Sequence, residues 1–400
     1  MKKLVLGLAI LATTFTGCSS DDDGDTTRVP ATGEITGDIT SNIVYGYGNY
    51  TLKGIVKIQS GVTVTFEAGS TITADKANGD DALVVLNGGK LIAAGTASEP
   101  IVFTEASKVP GSWAGIIMYG DAPIVNSASA PAPQTAASED GLTLTYGGSN
   151  SAHNGGTLKY VRVEYAGQVI TQNNKEHNGF SFYSVGSGTT LENLVSYMGN
   201  DDGFEFYGGT VSAKNLISYG NKDDSFDWQD GWRGQANTNW YAYQTGTANY
   251  GIEVEAKSVN NAFWPIINGI TLKRAAGTVT EAQSEVQLDA FQFKKEGNGE
   301  YNNIIIDGFK NQTSPTAKNG GAIQILDLAT YNNQVAAGKI KLTNVKITNT
   351  DNDFISGAGT FTMSASSFNP TANWTTSTTA TGANLTTGAW CTVNGVNLFQ

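Results

Sequence analysis

The sequence predicts an all-β fold, a right-handed parallel β-helix, and three observations carry the prediction. From about Ile39 onward short β-type runs follow one another, among them 62–66, 83–86, 90–94 and 101–104, with glycine and asparagine between them and no sustained helical period. Residues 191–207 (LENLVSYMGNDDGFEFY) recur as 213–229 (AKNLISYGNKDDSFDWQ), which puts Asn193 on Asn215, Tyr197 on Tyr219 and Asp202 on Asp224 at an offset of 22 residues. A period of about 20–25 residues built from short strands marks a solenoid, and the Leu-x-x-Leu-x-Leu frame of a leucine-rich repeat is absent. Glycine takes 48 of the 400 positions, enough to turn corner after corner where positive φ is needed.

The elements follow in chain order. Residues 1–17 read as a secretion signal, with Lys2 and Lys3 ahead of an apolar run from Leu4 to Ala12 that is too short to span a bilayer. Phe15-Thr16-Gly17-Cys18 resembles a bacterial lipobox, so Cys18 is the expected lipidation site and would hold the protein to a membrane. Residues 18–37 contain Asp21, Asp22, Asp23 and Asp25 and read as an acidic, solvated tether. The β-helix is expected over 38–365, with strands of 366–400 capping its end. The stretch 105–157, with Pro131, Pro133 and an Ala/Ser-rich run, lacks periodicity and reads as an excursion from the coils. At the repeat length, about thirteen to sixteen coils would fit. Asn193, Asn215, Asn268, Asn303 and Asn344 each precede an apolar run and are expected to stack as an asparagine ladder.

Charge excludes one class of partner. The net charge is −12, which repels a phosphate backbone and argues against nucleic-acid binding. Two cysteines cannot make a disulfide scaffold; with Cys18 acylated, Cys391 is expected as a free buried thiol. A monomer is expected.

Residues 54–75, then Ala94-Gly95-Thr96-Ala97-Ser98-Glu99-Pro100-Ile101-Val102-Phe103-Thr104, then 158–167 and the two Asp-Asp coils resemble a family of Bacteroidetes surface lipoproteins, uncharacterised β-helix proteins. The acidic run after Cys18 is similar to the export signal that such lipoproteins carry. The resemblance covers roughly 40–310 and implies the β-helix, a lipid anchor and the exterior face of the outer membrane, without a known reaction.

Chemistry concentrates in 200–232. Asp201 aligns with Asp223 and Asp202 with Asp224, so stacking would set four carboxylates one coil apart. Close like charges repel unless neutralised. Calcium, which takes six to eight oxygens, answers that need, and Asp201, Asp202, Asp223 and Asp224 are the expected ligands. The alternative is that these acids cap turns through Asx-type hydrogen bonds. Paired aspartates on neighbouring coils also resemble the active site of polygalacturonase-type glycosidases, which makes Asp202 and Asp224 the catalytic candidates. The Gly-His-Gly and Arg-x-Lys of that family are absent, however: Asn249-Tyr250-Gly251 and Leu272-Lys273-Arg274 stand in their places. Lys222, Arg233 and Lys257 lie near in sequence as bases for a lyase but form no motif. His153 and His177 read as surface residues. Trp228, Trp232, Trp240 and Tyr243 are the expected platform for sugar rings, the alternative being core packing.

These readings favour a surface-anchored β-helix lipoprotein that binds a glycan with calcium over an enzyme, with the question of catalysis left open. A polysaccharide hydrolase or lyase and a non-catalytic structural or adhesive protein are the alternatives.

Overall fold

A computed structural model describes residues 28–399 apart from 77–78, 128, 171–174, 258–263, 281–288, 311–319 and 358–360. The signal peptide, Cys18 and most of the tether therefore lie outside the described residues. One parallel sheet of 24 strands winds as a right-handed β-helix with three faces. In the coil 204–225 the first face is Phe204–Tyr207, and the strand Ala213–Tyr219 then supplies both other faces, 213–214 and 216–219. The corner inside that strand is Asn215, whose φ of 57° bends the chain without ending the strand.

Each face is a ladder of in-register parallel rungs. Phe204 pairs with Phe180 below and Phe226 above, and Tyr197 pairs with Tyr219, which pairs with Tyr243. Alternation along each rung sends every second side chain into the tube. Phe180, Phe204 and Phe226 stack there with centroids 4.9 and 5.6 Å apart. The asparagine ladder is present: Asn215 Nδ2 donates to Asn193 Oδ1 and Asn239 Nδ2 to Asn215 Oδ1, each at 2.9 Å. Its membership differs from the expected set. Asn239 is a rung, whereas Asn268 sits one residue short of the corner, which Gly269 occupies at φ 80°.

Four features differ from the sequence reading. The first strand starts at Ala31, inside the expected tether. Among the described residues the first face has eleven rungs, from 38–39 through 55–58, 82–85, 116–119, 180–183, 204–207, 226–229, 252–255, 291–294 and 321–325 to 352–356, fewer than the repeat length suggested. Large insertions between rungs account for the shortfall. The excursion is narrower than 105–157, because Ile116–Tyr119 is itself a first-face rung. What remains folds onto that face: Tyr146 packs on Tyr183 and Tyr207 with centroids 5.0 and 6.2 Å away, next to the stacked pair Tyr119 and Tyr183.

The C-terminus is a strap rather than a cap. Trp374–Thr376 forms the last rung of the described coils, and the chain then returns down the third face. Thr381 N donates to Asn303 Oδ1 at 2.8 Å, Asn384 N to Asn239 Oδ1 at 3.0 Å and Trp390 N to Ala97 O at 3.2 Å. The cause is on the coils: Val195, Ile217 and Tyr241 point outward, and Trp390, Cys391 and Leu398 bury them. Cys391 is free and buried, as expected. Among the described residues no helix is long and apolar enough to cross a membrane.

Candidate functional site

Stacking brings the acidic stretch together on the first face. Outward positions of successive rungs form a file, Ser181, Glu205, Asp227, Glu253, Gln292 and Gln324, each paired in register with the next. Rungs are spaced about 4.8 Å apart, so three carboxylates in succession crowd one line. At its edge lies the turn that feeds the first face, bearing Asp201 and Asp202 on one coil and Asp223 and Asp224 on the next. One oxygen each from Asp201, Asp202 and Asp223 lie within 4.8 Å of one another, as do oxygens from Asp202, Glu205 and Asp227. Asp202 is therefore shared between the turn and the file.

The members differ in how far they are satisfied. Asp202 Oδ1 accepts from Asp224 N at 2.8 Å and Asp224 Oδ1 from Tyr250 N at 2.7 Å, so each carboxylate pins the next coil's turn. That is the Asx-type role, and it disfavours both as the catalytic pair. Asp224 also stands outside the two oxygen triads. Glu205 accepts from Asn178 Nδ2 at 2.6 Å, from Gln229 Nε2 at 3.1 Å and from the Tyr207 hydroxyl. Glu253 is ion-paired with Lys294. Asp227 is 9 % exposed and its Oδ1 has no protein partner. A buried carboxylate oxygen left open in this way costs free energy unless a ligand meets it.

Burial sets the electrostatics. It is the largest cause of the raised pKa of Asp202, with Asp201, Asp224 and Asp223 adding to it, and of Asp227, with Glu253 and Glu205 adding to it. Glu205 is pushed up to about 7, by burial first and by Glu139 of the excursion second. Burial opposes the charge of Lys294, but Glu253 and Asp227 outweigh it and raise its pKa. An ammonium held protonated in this way cannot serve as the base of an elimination.

The expected sugar platform is not there. Trp228, Trp232 and Trp240 are 1, 1 and 0 % exposed and line the inside of the tube, where Trp232 Nε1 donates to Val211 O at 3.0 Å and Trp240 Nε1 to Ala213 O at 3.1 Å. Each left-handed corner resets the alternation, so parity counted along one face does not carry to the next. Tyr243 is half-buried at the end of the third-face stack Tyr197, Tyr219, Tyr243. His153 and His177 are buried rather than superficial, and burial lowers the pKa of both. Sequence reading passed over Glu205, Asp227 and Glu253 as the outward file. The available signal was their place, each one residue past an inward aromatic or isoleucine (Phe204, Phe226, Ile252).

A parallel β-helix with acids gathered on one outer face defines a class, and the sequence agrees with it. The chain belongs to the pectate-lyase-like β-helix family: the profile described as "Pectate-lyase like beta helix domain" matches residues 37–393. No curated protein matches the chain.

Proposed function

We propose that this protein is a surface-anchored β-helix lipoprotein, tethered through Cys18 to the outer membrane, that binds an extracellular glycan on the first face with a divalent cation at Asp202, Glu205 and Asp227. The observation that carries the reading is the open, buried Oδ1 of Asp227, a residue with a carboxylate oxygen within 4.8 Å of oxygens from Asp202 and Glu205. Hard oxygen donors of this kind suit calcium, and neighbouring Asp201 and Asp223 extend the donor set. Bound there, the ion would neutralise the crowded acids and offer open coordination positions to sugar hydroxyls. The family's fold supports a carbohydrate-related role.

A hydrolase is the second reading, and Glu205 favours it. A carboxyl with a pKa of about 7 is about half protonated at neutral pH and could donate its proton to a leaving oxygen. Lys294, held charged beside Glu253, is disfavoured as the base of a lyase.

A glycan array probed with and without calcium tests the proposal. The wild type should retain glycans only with calcium, and Asp227→Asn should lose them. Retention unchanged by chelator and by Asp227→Asn contradicts it. Release of reducing ends from a retained glycan, lost in Glu205→Gln, would move the assignment to the hydrolase.

A further inference from the structure

The strap over the third face shows what that face is able to hold. From Asn303 to Ala97 the coils grip the strap mainly by its backbone. Asn303 Oδ1 accepts from Thr381 N at 2.8 Å and Gly382 N at 3.2 Å, Thr271 Oγ1 from Ala383 N at 3.0 Å and Asn239 Oδ1 from Asn384 N at 3.0 Å. Farther along, Arg162 Nη1 donates to the carbonyls of Ala389, Trp390 and Thr392, and Glu164 Oε1 orients that guanidinium by accepting from its Nε at 2.5 Å. Main-chain groups are common to all sequences, so these contacts receive an extended chain as such.

Selectivity comes from two positions. At Gly382 the φ is 66° and a Cβ would come within 2.1 Å of Thr271 Oγ1, so the close approach requires glycine. At Trp390 the indole is buried with the outward file of Val195, Ile217 and Tyr241, and it meets the Tyr160 ring edge-on with centroids 5.9 Å apart. A buried indole of this kind carries a large share of the binding energy at a peptide interface. The strap is otherwise loosely woven into the fold. Among the described residues a single backbone–backbone hydrogen bond, Trp390 N to Ala97 O at 3.2 Å, joins 378–399 to the coils. Its own regular structure is one 3₁₀ turn, Ala389–Cys391, and a hairpin of two residue pairs. Such a segment opens at a lower free-energy cost than the laddered coils beneath it.

We infer that the third face is a docking surface for an extended peptide with a tryptophan anchor, and that its occupant in trans is the strap of a second copy of this chain. A second copy brings the same glycine to Thr271, the same indole to Tyr160 and the same carbonyls to Arg162. Reciprocal exchange of the two straps closes as a two-fold dimer. The chain's own strap competes at an effective concentration on the order of millimolar, so exchange needs crowding or a loosened strap.

Fluorescence anisotropy with a labelled peptide of residues 381–399 and the full chain, in reducing buffer, tests the docking surface. The Trp390→Ala chain, its own anchor removed, should bind the peptide at least about tenfold more tightly than the wild type does. A peptide that itself carries Trp390→Ala should bind that chain at least about tenfold more weakly, and adding Ile217→Asp to the chain should abolish binding. Circular dichroism controls the fold of each variant, and Leu398→Ala serves as the loosened chain if Trp390→Ala does not fold. For the exchange, wild type at about millimolar concentration, warmed to just below its melting temperature and cooled, should give a dimer by light scattering. Excess peptide present during warming should suppress that dimer. No peptide binding by a folded, loosened chain, or equal binding of the two peptides, would overturn the docking surface; monomer alone after warming would overturn the exchange.

Discussion

Glu205 joins two roles in one side chain, because the burial that readies it for chemistry also makes it a liability. Its carboxyl holds its proton to about pH 7 in the folded chain, whereas an unfolded glutamate releases it near about 4.3. The folded state therefore binds the extra proton between those values, and stability from this group is full below about pH 4.3 and lost as pH rises to about 7. Melting of the cation-free protein should fall across that window, and Glu205→Gln should flatten the fall; a parallel slope in the variant would remove the assignment. Asn215 makes the companion prediction. Its amide is a ladder rung and its φ of 57° is costly for an ordinary side chain. Asn215→Ala should cost about 2 kcal/mol in denaturant titration and Asn215→Gly about 1, since glycine forfeits the amide but not the corner. Such corners explain what could be read in advance. Asn193 and Asn215 announce themselves by the repeat, whereas Asn268 misleads because the left-handed position belongs to its neighbour Gly269. Trp240 misleads for the same reason: Asn239 turns the chain one residue earlier and sends the indole inward.

At the level of elements, the strands were legible and the segments that lie across them were not. A rung is a local pattern, such as inward Phe204 and Phe206 with Glu205 between. The excursion and the strap have no period, and their positions follow from contacts made far along the chain. Tyr146 finds Tyr183 and Tyr207, and Arg162 Nη1 donates to Ala389 O at 3.1 Å and to Trp390 O and Thr392 O at 3.3 Å. The strap covers Val195, Ile217 and Tyr241, apolar groups that no sequence rule matches to a particular tail. Removing residues 383–399 should expose them. We expect a lower melting temperature and new binding of a hydrophobic dye, with the far-ultraviolet β signature of the coils retained. An unchanged melting temperature would mean that the strap adds no stability.

For the whole molecule, repetition is what turns a weak chemical signal into a site. Asp202 and Asp224 stand 22 residues apart in the chain and meet through a hydrogen bond between neighbouring turns. Glu205, Asp227 and Glu253 become a file only because three coils share one register. The repeat made the convergence of acids predictable, but not the division of labour among them, which depends on which oxygens the backbone occupies. Asp202 and Asp224 hold turns, and Asp227 is left with an open oxygen. Isothermal titration of calcium into the wild type and into Asp227→Asn measures that division most directly. Saturable heat in the wild type that disappears in Asp227→Asn is the predicted result; no heat in the wild type, or equal heat in both, would contradict it.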